Sequence, residues 1–234
     1  MPNYVAAMDL GSMHDYTTLA IVESLALAPG EPWQGPPGWD PPPKVRKVLL
    51  HLKRWPLELA YAVAIEQAAE ILARPPWAGS TTLLYDRTGL GSAVMYQFRE
   101  AHREGLFDRA PKGYAISGGE VAGPGSIPKV ELVDNLRAIV ETGKLTWPAD
   151  LPLLDEFLRE MAAFAPRPTR VRRLLTFGNK GDLAPNDDLV SAVALAAWHP
   201  GRRSEARAIG RDGVVYASIE AAKTIGGAAA WYTR

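Results

Sequence analysis

Residues 186–199 read "NDDLVSAVALAAWH". From Leu189 onward the segment is a helix written in Ala, Val and Leu, apolar on nearly every side. A helix of that kind lies in the middle of a fold rather than on its surface. It nevertheless opens with two adjacent carboxylates, Asp187 and Asp188. Read alone, the pair is a helix start: Asn186 caps, the acids sit in the first turn, and their charge suits the positive end of the helix dipole. Any further role needs partner acids elsewhere in the chain.

Two apolar runs supply them. "YVAAMDLG" ends at Asp9 and Gly11, and "STTLLYD" ends at Asp86, followed by "RTGLG". A single Asp at a strand end is ordinarily a turn residue. Two strands running into Asp, with a buried helix beginning Asp-Asp, can bring three or four carboxylates to one end of a sheet. Such a cluster repels itself and raises its own pKa values. A divalent cation makes it tolerable, because Mg²⁺ takes oxygen ligands from a few carboxylates and keeps several waters. Two such ions about 3.5–4 Å apart can activate a water and stabilise the leaving oxygen of a phosphodiester.

The remaining segments give the frame. "YVAAMDLG" and "YTTLAIVESLAL" flank "SMHD" and read as a β-hairpin, and "KVRKVLLHLKRWP" adds a third strand to make an antiparallel meander. Residues 28–43, "APGEPWQGPPGWDPPP", are too rich in Pro and Gly for helix or central strand and form a loop inserted between strands two and three. "LELAYAVAIEQAAEILAR" is a helix stopping before Pro75-Pro76, "STTLLYD" a buried strand, and "RTGLGSAVMYQFREAHREG" a turn leading into a helix. "GYAIS" is a strand and "GPGSIPK" a loop. "KVELVDNLRAIVETG" is a helix ending at Gly143, and "PLLDEFLREMAAFA" a helix closed by Pro166. "RRLLTFG" is a strand. The order βββαβαβ followed by helices predicts an α/β fold with a mixed central sheet and helices on both faces. Residues 1–200 form that domain, and 201–234 a C-terminal extension, as a hairpin or a loose tail.

Bulk properties narrow the setting. A chain of 234 residues with 47% hydrophobic side chains can bury a proper core. No apolar run reaches the roughly 20 residues that span a bilayer, and the start "MPNYVAAMDLG" does not read as a signal peptide. With no cysteine, disulfides and thiolate zinc sites are excluded. An intracellular protein is expected. Formal net charge is zero, yet "RPTRVRR" and "GRRSEARAIGR" are locally basic. One basic face on a neutral protein can neutralise several phosphates and makes binding salt-sensitive.

In order and spacing, "MDLGSMHDYTTLAIVE", "YDRTGLGSAV", "KVELVDNLRAIVETGKLTWP" and "NDDLVSAVALA" resemble the C-terminal nuclease domain of large terminase subunits from tailed bacteriophages. That domain belongs to the ribonuclease H-like superfamily and is architecturally close to Holliday-junction resolvases. The resemblance spans most of residues 4–199 and rests on the ordered set, not on one motif. It implies Mg²⁺- or Mn²⁺-dependent endonucleolytic cleavage of double-stranded DNA during genome packaging, by two metal ions and with little sequence preference, in the cytoplasm of the host cell. The partners implied are duplex DNA, a packaging ATPase and a portal ring, with no membrane.

Residue by residue, the resemblance matches Asp9 to the first-strand acid, Asp86 to the central-strand acid, and Asp187–Asp188 to the acid opening the last helix. Asp187 is the first choice as primary ligand, with Asp188 binding a second ion or orienting a water. Lys129 matches a family lysine able to contact phosphate, and Asp15 and Thr18 support the site. Arg167, Arg170, Arg172, Arg173 and Lys180 are the expected DNA contacts. Two departures stand out. Asn186 replaces a His common in the family. No Gly-rich phosphate loop is present either, since "GNKGD" (178–182) lacks the spacing and the Ser/Thr. The chain therefore reads as an excised nuclease domain, or as a protein working beside a separate motor.

Three rivals remain at the level of sequence. "DLGSMHDYTT" and "DRTGLG" resemble the phosphate loops of actin-like and sugar-kinase ATPases, but those duplicate the core and this chain holds one copy. A resolvase-like nuclease is the enzymatic alternative. A non-catalytic module binding DNA or a portal through Trp33 and Trp39 is the third.

Overall fold

The computed structural model describes residues 3–11, 15–26, 45–90, 92–118, 125–168, 175–179 and 186–198. The loop 28–43 with Trp33 and Trp39, and the extension 201–234, lie outside the described residues.

Three β-rich runs form the expected meander. They are β1 (Asn3–Asp9), β2 (Thr18–Ala26) and β3 (Val45–Arg54), each antiparallel to the next. Helix α1 (Tyr61–Leu72) follows and ends before the two prolines. The chain then returns as β4 (Thr81–Asp86), parallel to β1. Helix α2 (Ser92–Arg103) leads to β5 (Lys112–Ser117), parallel to β4. Among the described residues seven strands make one sheet in the order β6-β5-β4-β1-β2-β3-β7, with β2 alone running against the rest.

The sequence reading is corrected at four places. "GPGSIPK" is not all loop: Ser126–Pro128 forms edge strand β6, where proline is tolerated because its missing N–H faces away from the ladder. Helix α3 (Lys129–Glu141) begins directly after it, and Gly143, at φ 63°, lies just past its end. The two-residue β7 (Leu145–Thr146) extends the other edge and is too short to show periodicity. Helix α4 (Leu154–Ala163) stops before Pro166, and Phe164–Pro168 becomes β8, paired antiparallel with β9 (Leu175–Asn179) in a ribbon separate from the main sheet. The N-cap position of helix α5 (Asp188–Ala197) falls at Asp187, not Asn186, and no side-chain capping bond comes from it.

Side chains alternate across a strand, so parity decides which layer each one meets. Tyr4, Ala6 and Met8 of β1, with Leu83 and Tyr85 of β4, pack in the cluster formed with α1 and α2. Val5 and Ala7, with Leu84, pack in the other cluster, with α3, α4 and α5. On α5, Ser191 alone is not buried. The apolar helix is thus enclosed between the sheet and its neighbouring helices, as its sequence demands. Its far end is pinned by Trp198, whose Nε1–H donates to Glu131 Oε1 at 3.0 Å and whose ring meets Tyr114 edge-on at 5.3 Å. Among the described residues no helix is long and apolar enough to cross a membrane.

Candidate metal centre

Parity and register together place the acids. Asp9 shares the parity of Val5 and Ala7, and Asp86 that of Leu84, so both belong to the face covered by α5. The parallel register pairs Met8 with Tyr85, which sets Asp9 and Asp86 side by side one step further on. Both stand at the carboxyl end of neighbouring parallel strands, the usual place for a site in an open α/β sheet. Asp9 also pairs with Thr18 of β2.

Thr18 carries the link to α5. It is fully buried, and its Oγ1–H donates to the Asp188 carbonyl at 2.9 Å. The Tyr16 N–H points at Asp188 Oδ2, 3.4 Å away. The turn between β1 and β2 is held by the Gly11 N–H on Thr17 Oγ1 at 3.2 Å. A Cβ on Gly11 would collide with the Asp15 and Tyr16 backbone, so only glycine fits there. Asp15 itself is exposed on this turn.

Asp9, Asp86 and Lys129 line one pocket, walled by Ile116, Leu132, Val133 and Phe164 and by Ser191, Ala194 and Leu195 of α5. Lys129, the first residue of α3, has its Nζ 3.9 Å from Asp187 Oδ2 and 5.8 Å from the centre of the Phe164 ring. Asp86 Oδ1 accepts the Thr88 N–H at 2.7 Å, which fixes the turn after β4. Burial pushes the Asp9 carboxyl well above the usual carboxylate range. Asp86, Asp188 and Asp187 push it further, against the opposing pull of Lys129. Asp188 is raised to about 7, first by burial and then by Glu160 and Asp187, with Arg54 and the Tyr16 N–H opposing. Asp9 therefore feels the other three acids, and Asp188 feels Asp187 and Glu160.

Glu160 and Arg54 were not singled out from the sequence. Glu160 of α4 is 3% exposed and forms an ion pair with Arg54 at the end of β3. The guanidinium also lies over the Tyr16 ring, 5.0 Å from its centre. Glu160 Oε2 accepts the N–H groups of Leu189 and Val190 at 2.9 and 3.4 Å. Burial raises the Glu160 pKa, partly offset by Arg54 and these two N–H groups. The one signal in the sequence is position: Glu160 follows Phe157 and precedes Ala163 at three-residue steps, on the buried face of α4.

The donor set is entirely carboxylate oxygen, which suits a hard cation such as Mg²⁺ or Mn²⁺. Asp9, raised first by burial and then by three neighbouring acids with one lysine opposing, is a carboxyl that a nearby cation would stabilise in its charged form. Among the described residues no three His, Cys, Asp or Glu side chains are preassembled around a point that could hold a metal ion. A cation that retains water needs only one or two carboxylates directly. On donor chemistry the residues fit. Arg170, Arg172, Arg173 and Lys180 lie outside the described residues, as does the side chain of Arg167, whose backbone belongs to β8.

The chain is similar to solved structures of the human cytomegalovirus terminase nuclease domain. With the Mn-soaked form the TM-score is 0.44 at 11% identity, covering 83% of this chain and 80% of that one. With the Mn-soaked, inhibitor-bound form it is 0.45 at 11% identity, covering 83% and 81%. No protein-family model and no curated protein matches the sequence.

Proposed function

We propose that this chain is a divalent-metal-dependent endonuclease of the terminase type, cutting double-stranded DNA without reading its bases. One observation carries the reading: Asp9 and Asp86 share a pocket at the carboxyl end of two parallel strands, with the Asp187–Asp188 start of a buried helix coupled to Asp9. The resemblance of the ordered motifs to phage large-terminase nuclease domains supports the same reading and gives it its setting, beside a packaging ATPase and a portal ring.

Asp9, Asp86, Asp187 and Asp188 would hold the cation, as two ions in the full site. When bound, it supplies Lewis acidity for phosphodiester hydrolysis, activating the attacking water and stabilising the departing 3′ oxygen. The chain's own residues do the rest. Asp9 and Asp86 offer fixed anionic donors from strand ends that cannot move independently of the sheet. The wall of Ile116, Leu132, Val133 and Phe164 limits water and lowers the local dielectric, which strengthens every charge interaction inside. Lys129, held at the edge by Asp187 and Phe164, presents a positive charge to a backbone phosphate. Arg167, Arg170, Arg172, Arg173 and Lys180 would grip the duplex through phosphates, which positions it without specifying sequence.

Supercoiled plasmid incubated with Mg²⁺ or Mn²⁺ tests this. Wild type is expected to nick and linearise it, and Asp86→Ala to be slower by about a hundredfold or more, the scale of losing a charge that acts in the transition state. Equal rates for the two proteins would end the nuclease reading. A strong preference for four-way junctions over linear duplex would move it to a resolvase.

A further inference from the structure

The start of α5 poses a problem that its own sequence does not solve. Asp187 is the N-cap residue: its carbonyl accepts the Ser191 N–H at 2.9 Å, yet its side chain makes no capping hydrogen bond. An N-cap side chain normally accepts the N–H groups two and three residues on. Here those donors belong to Leu189 and Val190, and Glu160 takes both from another helix. The Asp187 carboxylate is turned instead toward Lys129.

We infer that Glu160 is a positioning residue that caps α5 in place of Asp187, and so leaves the Asp187 carboxylate free to face the cation site. Arg54 completes the device. A buried glutamate beside Asp188 would add one more negative charge to a set already crowded with them, and the guanidinium of Arg54 balances it. Without Glu160 the nearest acceptor for the two N–H groups is Asp187 itself, drawn back by the ordinary preference of Asp for an N-cap. The functional half of the inference rests on the proposed metal site; the capping half does not.

The two halves are separated by measuring stability and Mn²⁺ binding in the same variants. Breaking a buried pair at one end is costly, whereas replacing both partners with apolar groups of similar volume is well tolerated. The background is therefore Arg54→Met with Glu160→Leu, beside the conservative Glu160→Gln. Asp187→Ala is expected to leave the urea midpoint of wild type unchanged or slightly raised. In the Met/Leu background it is expected to lower the midpoint clearly, because Asp187 has become the cap. Glu160→Gln keeps an acceptor for the N–H groups but breaks the pair with Arg54, so its own midpoint is expected to fall. Adding Asp187→Ala to it is expected to shift the midpoint no more than in wild type. Mn²⁺ titration should show several-fold weaker binding in the Met/Leu background and near-normal binding in Glu160→Gln. An Asp187→Ala midpoint shift of equal size in all three backgrounds would overturn the inference. The midpoints involve neither metal nor DNA, so that failure is distinct from a failure of the nuclease reading.

Discussion

Asp188 is raised to about 7 by burial, Glu160 and Asp187, against Arg54 and the Tyr16 N–H, whereas an unfolded aspartate titrates near 3.9. Between those two values the native protein holds a proton that the unfolded chain has released, so metal-free stability falls as pH rises. The contribution is full below about pH 4 and is lost as pH passes about 7. Asp188→Asn removes the ionisation. In EDTA the variant should exceed wild type in unfolding free energy at pH 8 by on the order of 1–3 kcal/mol, and the gap should close toward pH 4. Urea curves at the two pH values measure it, and a gap independent of pH would contradict this account of the acid set. Asp9 and Asp86 were legible in the sequence because each interrupts an apolar run that has no other use for charge. Glu160 and Arg54 were not, since "LDEFLREMAAFA" and "KRWP" read as ordinary solvated charge until the packing of α4 against α5 turns both inward.

Between elements, the decisive contact joins the start of β2 to the start of α5. Thr18→Val keeps the shape of a fully buried residue and deletes the hydroxyl that donates to the Asp188 carbonyl. A cost of about 1 kcal/mol is expected for one buried hydrogen bond. The nicking rate should fall as well, because the helix end carrying Asp187 and Asp188 loses its tie to the strand beside Asp9. Unchanged stability in a thermal melt would show that this tie does not hold the helix. The meander, α1, α2, α3, α4 and α5 were readable because long runs display their period. β6 and β7 were not, being three and two residues long and formed by what lies next to them. Of "RRLLTFG", the described part from Leu175 is a strand as expected, but its partner is the Phe164–Pro168 segment that follows α4, a pairing no local pattern encodes.

Across the whole fold, the described residues form a sheet covered on both faces, with the candidate site at one end of two central strands. If the proposed function holds, a neutral net charge leaves DNA binding to the locally basic segments of the sequence, and affinity is expected to fall steeply with salt. The layering explains why a helix as apolar as α5 can begin in carboxylates. Its body needs enclosure by the sheet and by α3 and α4, while its first residues emerge where β1 and β4 end. A crystal soaked in Mn²⁺ tests that convergence directly. Anomalous density should lie between Asp9, Asp86 and the first residues of α5, and vanish in Asp9→Asn. Density elsewhere, or none at Mn²⁺ concentrations that support cleavage, would contradict the assignment of these acids to one metal centre.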